Sequence, residues 1–194
     1  MRVVLSTRNA HKVREFAGLL DGIDVVPLPE EVQLPPETGA TFAENALVKA
    51  RAAAAATGGA AIADDSGIEA AALGGRPGVR SARFAGERAT DEENLAKLLR
   101  EAPAGSAVAY VCVIAYVDGA RERLFAGRCT GTLAAEPRGD GGFGYDPAFV
   151  PDDVHDGRTM AELAPAEKDA ISHRGRAARA LLALLHNEPG WQGR

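Results

Sequence analysis

Short apolar runs alternate along this chain with stretches in which apolar residues return every three or four positions, and the two rhythms predict strands and helices in turn. Val3 to Ser6 reads as a first strand and Ala10 to about Leu20 as a helix, with Val13, Phe16, Ala17 and Leu20 on one face and Arg14, Glu15 and Gly18 opposite. Asp24 to Leu28 reads as a second strand, ended by prolines 27 and 29, and QLPPETG as a loop. TFAENALVKARAAAAATGG is a strong helical pattern: Thr41 is the N-cap, Glu44 stands three residues on, and Gly58 stops the helix. On it, Asn45 and Lys49 read as a solvated polar side, away from Phe42, Ala46 and Ala50. Ala60 to Ala63 is a buried strand that ends in ADDSG, followed by a further extended piece. LGGRPGVRSARFAG is a Gly/Pro-rich loop, and TDEENLAKLLREA a capped helix with acidic residues in its first turn.

VAYVCVIAYVDGARERLFAGRCTGTLAAE reads as two long strands joined at Asp118-Gly119, a strong hairpin signal. A second Gly-rich loop, PRGDGGFGYDP, follows, and the chain closes with helices in TMAELAPAEKDAI and HRGRAARALLALLHN and a frayed tail over 189–194. Helices alternating with strands, then a long hairpin, predict a mixed-sheet α/β domain.

Composition changes this picture little. With 194 residues, 46% hydrophobic and 25% charged, the chain is of ordinary globular make-up and supports one domain, 1–194, of two lobes. The net charge of −5 argues against a nucleic-acid partner, which needs a basic face. The first apolar run is too short for a signal peptide or a membrane span, so a cytoplasmic protein without a membrane partner is expected. Cys112 and Cys129 are too few for a disulfide framework and fall four residues out of register across the hairpin, so both are expected as buried thiols.

The chemistry concentrates in a few places. Two adjacent carboxylates, Asp64 and Asp65, stand in an otherwise apolar strand, where burial without a positive partner is costly. In STRNAHK a strand runs straight into a helix whose first N–H groups suit a phosphate, with Thr7, Asn9 and Lys12 adding a hydroxyl, an amide and a cation. The plainer alternative is that Asn9 or Thr7 caps the helix and Lys12 is solvated. Gly139, Gly141 and Gly144 have the spacing of a dinucleotide fingerprint, but Asp146-Pro147 follows where a helix should start, so that reading is discarded. Phe143 and Tyr145 in that loop offer stacking faces. Glu44 is accounted for by the cap, whereas Glu37 in the preceding loop is not. His173 and Arg174 stand at a helix start, where cations oppose the dipole, and this suggests a ligand there.

Five segments in order, STRNAHKVREF, ETGATFAENALVKA, ADDSGIEAAALGGRPGVRSARFAG, GGFGYDPAF and AELAPAEKDAISHRGRA, resemble the inosine triphosphate pyrophosphatase family, enzymes that clear dITP, ITP and XTP from the nucleotide pool. The resemblance spans nearly the whole chain. It implies an elongated mixed sheet flanked by helices in two lobes around a central active-site cleft, a homodimer, and a purine nucleoside triphosphate as substrate. It further implies Mg²⁺ held by Glu37 and Asp65, with Asp65 also the general base. The triphosphate would be held by Ser6, Thr7, Arg8, Asn9 and Lys12, with Asn9 and Lys12 foremost, and reached by Lys49. Ser66 would touch the substrate beside Asp65. Phe143, Gly144, Tyr145 and Asp146 would line the base pocket, completed by Lys168, His173 and Arg174. His11 departs from the glycine that many members carry before the lysine.

Electrostatics agree with these implications. A triphosphate carries about four negative charges, and each like-charge pair at 4 Å costs about 4 kcal/mol at an effective dielectric near 20. Asp64, Asp65 and Glu37 could therefore meet such a substrate only with a hard cation and lysines to compensate. Successive strand residues face opposite ways, so one of Asp64 and Asp65 faces the substrate; the alternation leaves the choice open, and the resemblance selects Asp65. The expected reaction is in-line attack of water on the α-phosphorus, releasing pyrophosphate. Arg174, a donor only, is expected to favour a 6-oxo purine over adenine. The rivals are a Maf-like pyrophosphatase acting on other modified nucleotides and a nucleotide sensor without turnover, which the intact ADDSG disfavours.

Overall fold

Six strands form one mixed sheet in the order β2-β1-β3-β4-β5-β6. They are β1 (Arg2–Leu5), β2 (Asp24–Pro27), β3 (Ala61–Ala70), β4 (Ala107–Asp118), β5 (Arg121–Leu133) and β6 (Phe149–Pro151). β1 runs parallel to β2 and β3, and β5 antiparallel to β6. Helices α1 (Ala10–Leu19), α2 (Phe42–Thr57), α3 (Asp91–Glu101), α4 (Pro165–Ile171) and α5 (His173–Asn187) complete the fold. This is a computed structural model; it describes residues 1–187, and the tail expected over 189–194 lies outside the described residues. The chain divides into two compact units: Met1–Asp65, Cys112–Gly127 and the segment from Arg174, and Ser66–Val111 with Arg128–His173.

In the first unit, alternation along the strands sorts side chains between two helical layers. Val3, Leu5, Ile62, Cys112, Ile114 and Tyr116 pack with Phe16 and Leu20 and with Ala177, Ala178, Leu181 and Leu185 of α5. The intervening Ala63, Ala115 and Val117 pack instead on Ala46 and Ala50 of α2, and Val4 and Ala61 on Ala53. The alanine-rich stretch of α2 thus meets alanines of the sheet, and methyl against methyl lets helix and sheet approach closely. Asn9 caps α1, its Oδ1 accepting from the N–H groups of His11 (2.9 Å) and Lys12 (3.2 Å). Thr41 caps α2 and Gly58 ends it at a φ of +68°, which favours glycine.

Three expectations are corrected here. The strand does not stop at ADDSG: β3 runs through it to Ala70, so both aspartates stand in mid-strand. Of the face predicted for α1, Phe16 and Leu20 are buried, but Val13 and Ala17 are exposed, and Lys12 and Glu15 turn partly inward instead. Asn45 and Lys49 are not solvated but buried, at 1% and 6% exposure, because with Phe42, Ala46, Ala50 and Ala53 they form the inward stripe of α2.

The second unit has its own core, in which Ile68, Leu98, Tyr110, Phe149 and Met160 are nearly fully buried. α3 is capped as expected, and its cap is a capping box between Thr90 and Glu93. TMAELAPAEKDAI is not one helix: a tight turn over Met160–Glu162 and α4 are separated at Leu163 and Ala164, because Pro165 forces the residue before it into extended backbone. No helix of the described residues is long and apolar enough to cross a membrane.

Candidate active site

In the first unit Asp64 and Asp65 go to different layers. Asp64 continues the Ile62 side and is a buried charge hub. Its Oδ2 accepts Lys12 Nζ at 2.9 Å and Arg174 Nη2 and Nε at 3.1 and 3.3 Å. Cys112 Sγ lies 3.8 Å from the same oxygen, while Oδ1 is buried without a hydrogen-bond partner among the described residues. Burial would push this carboxyl up, but the charges of Lys12, Arg174 and Lys49 outweigh it and hold Asp64 well below the ordinary carboxylate range. Burial, reinforced by Asp64, pushes the Cys112 thiol up to about 12, so it is a protonated, inert thiol. Both cysteines are free and buried.

Asp65 points to the α2 layer, where its Oδ2 accepts Asn45 Nδ2 at 2.9 Å. Burial, with help from the charge of Glu37, lifts its pKa above the ordinary value against the pull of Lys49 and the Asn45 hydrogen bond. A carboxylate of raised pKa is a better proton acceptor, and such perturbation concentrates at functional sites. Lys49 donates to the Asp64 carbonyl at 2.7 Å and pairs with Glu37. Burial lowers its pKa, yet Asp64 and Glu37 together raise it further, so the ammonium stays charged.

The N-terminal loop is more occupied than its motif implies. Ser6 is buried and its Oγ donates to the Lys49 carbonyl at 3.0 Å. Arg8 donates to the carbonyls of Leu28 (2.7 Å), Pro29 (2.6 Å), Glu30 (3.2 Å) and Val32 (2.9 Å), tying down the loop that leads to Glu37. Thr7 Oγ1 accepts from the Asn9 N–H at 3.2 Å. Asn9 caps α1, as the plainer reading had it, and Lys12 pairs with Asp64 rather than being solvated.

Arg174 belongs to this cluster through its observed partners. Its guanidinium bonds Asp64 and also pairs with Glu15, and it lies 5.9 Å from the Phe16 ring centroid. The dipole penalty at the start of α5 is thus met by two carboxylates. Three N–H groups of Arg174, the residue expected to read a purine, go to Asp64 and Glu15.

In the second unit, Asp146 gathers the residues expected around a base. Its Oδ2 accepts Lys168 Nζ at 2.8 Å and the Phe143 N–H at 2.9 Å, and its Oδ1 accepts the Tyr110 hydroxyl at 3.0 Å. His173 stacks on Tyr110, centroids 4.6 Å apart, and the Lys168 ammonium stands 5.2 Å from the Phe143 ring centroid. The Gly144 N–H donates to Asp91 at 2.9 Å. Tyr145 offers no stacking face: it is core, its hydroxyl donating to the Ser81 carbonyl at 2.7 Å. Ser66 follows Asp65 along β3 and is half-buried. Sequence reading passed over Glu15, Asn45 and Tyr110. For the first two the signal was present, since Glu15 follows Lys12, and Asn45 follows Phe42, by three residues.

Among the described residues no three His, Cys, Asp or Glu side chains cluster at metal-binding spacing. Mg²⁺ does not require such a cluster, since one or two carboxylates with waters and substrate phosphates suffice. Glu37 and Asp65 fit that demand: both are hard oxygen donors, and Lys49, which pairs with Glu37, also bonds the Asp64 carbonyl next to Asp65.

The aspartates of β3 are met by cations from α1, α2 and α5, a charge cluster suited to a polyanion. Residues 3–184 match the Ham1 family, and the chain belongs to it. A dITP/XTP pyrophosphatase of Symbiobacterium thermophilum is 54% identical over 191 residues, covering 95% of this chain and 94% of that one. A protein of the same name from Mycobacterium tuberculosis strain H37Rv is 49% identical over 201 residues, 96% of each. A solved HAM1 protein structure from Coxiella burnetii superposes with a TM-score of 0.87 at 42% identity, covering 97% of this chain and all of that one.

Proposed function

We propose that the protein hydrolyses non-canonical purine nucleoside triphosphates, dITP, ITP and XTP, at the α–β phosphoanhydride, releasing the monophosphate and pyrophosphate. The observation that carries this reading is Asp65: a nearly buried carboxylate of raised pKa, hydrogen-bonded by Asn45 and flanked by charged Lys49, in a chain half identical to dITP/XTP pyrophosphatases.

Asp65 takes the proton of the attacking water. Lys12 and Lys49 neutralise phosphate charge, and Asp64 keeps Lys12 in place while staying ionised itself. Thr7 and the positive end of the α1 dipole position the anion. Mg²⁺, held by Glu37 and Asp65, would supply the remaining charge neutralisation. Lys168 is a donor only, so a 6-oxo purine would accept from it where adenine's amino group would meet it donor to donor. From the family resemblance we also infer a cytoplasmic homodimer.

The test is hydrolysis of ITP, XTP and dITP beside ATP and GTP, with and without EDTA, with products identified. Pyrophosphate release favouring the non-canonical substrates, lost with EDTA, is expected. Orthophosphate as product, or ATP turned over as fast as ITP, overturns the reading.

A further inference from the structure

Asn45 is 1% exposed, and both ends of its amide are used. Nδ2 donates to Asp65 Oδ2 at 2.9 Å, and Oδ1 accepts the Gly39 N–H at 2.7 Å. Gly39 follows Glu37 by two residues, and a β-carbon there would lie 2.7 Å from that same Oδ1. One side chain thus bonds both the carboxylate assigned as base and the loop that carries the other assigned metal ligand. The amide of Asn45 donates at one end and accepts at the other, so its two bonds fix its orientation.

We infer that Asn45 is a positioning residue for the reaction: it aims the Asp65 carboxylate from the helical layer and sets it relative to the Glu37 loop. This rests on Asp65 acting as the base. An ångström of drift in a reacting group can cost about 10²-fold in rate without loss of binding. Neither hydrogen bond of Asn45 goes to a residue assigned to the purine or the phosphates, so its loss falls on turnover rather than on affinity.

Asn45→Asp separates the two bonds, because a carboxylate still accepts from Gly39 but no longer donates to Asp65. Asn45→Ala breaks both. With ITP as substrate, both variants should lose roughly 10- to 100-fold in kcat with KM within about twofold, Asn45→Asp at least as much as Asn45→Ala. Amide exchange at Gly39 should quicken in Asn45→Ala and stay near wild type in Asn45→Asp. Gly39→Ala, which displaces the amide, should lower kcat, and the Gly39→Ala/Asn45→Ala double variant should be no slower than the slower single one, within about twofold. Wild-type kcat in Asn45→Asp, an equal rise in KM, or multiplying losses in the double variant overturns the inference. Full activity in Asp65→Asn would overturn the underlying reading instead; an inactive Asp65→Asn beside a fully active Asn45→Asp sinks only the role of Asn45.

Discussion

Asp64 and Asp65 share a peptide bond and answer to different helices: Asp64 to α1 and α5 through Lys12 and Arg174, Asp65 to α2 through Asn45. Strand alternation alone produces this division. It leaves one carboxylate held ionised at neutral pH in a cation network and the other with its proton affinity raised. Their substitutions should therefore fail in different ways.

Asp65→Asn should lower ITP turnover by about 10²- to 10⁴-fold, the range for loss of a general base. Its fold should persist. The raised folded pKa means that the charged form is disfavoured in the native state, so removing the charge should not lower stability at neutral pH. Pyrophosphate release and a urea melt, run side by side, check this.

Asp64→Asn should leave Lys12 and Arg174 facing a neutral amide at a buried position, at a cost of about 3–5 kcal/mol. The pH dependence has a definite sign. The folded pKa is depressed, so the contribution of Asp64 is fully present above the ordinary value of 3.8 and is lost as pH falls below it towards the folded value. Urea midpoints between pH 3 and 7 should fall on acidification in the wild type and fall less steeply in the variant.

Arg174→Ala should strand the carboxylates of Asp64 and Glu15, lowering stability by about 3–5 kcal/mol. Thermal melts at neutral pH read this directly. A variant as stable as wild type would show that the guanidinium is not needed by either carboxylate.

Gly142→Ala should disturb the cluster around Asp146. The new β-carbon would fall 2.0 Å from Asp146 Oδ2, at a φ of +71° that disfavours any side chain. Overpacking of this kind costs about 1–3 kcal/mol, and displacement of the acceptor of Lys168 and Phe143 should raise KM for ITP more than it lowers kcat. Steady-state kinetics separate the two constants.

What the sequence made legible was local. Thr41 and Gly58 bounded α2 as read, and the turn at Gly119, with its φ of +57°, joined the long strands, because caps and turns are decided by residues within a few positions. What it hid depended on distant partners. Arg8 meets carbonyls 20 to 24 residues on, and Arg174 meets Asp64 across 110 residues. Asn45 and Lys49 looked solvated because polar groups on a helix usually are. Their acceptors on β3 lie 20 and 15 residues away, beyond any helical repeat. The cations at the start of α5 likewise revealed a need for negative charge, but not that Asp64 and Glu15 supply it to Arg174.

Alanine faces alanine where α2 lies on the sheet, and that bare seam works as a ruler. An asparagine side chain is short, and it spans the gap where Ala46 and Ala50 of the helix face Ala63 and Ala115 of the sheet. Leucine at Ala46 or Ala63 would still be apolar and still inside, yet it would lift the helix and leave the amide short of its carboxylate. The reach of one hydrogen bond thus dictates how small the neighbouring side chains must stay.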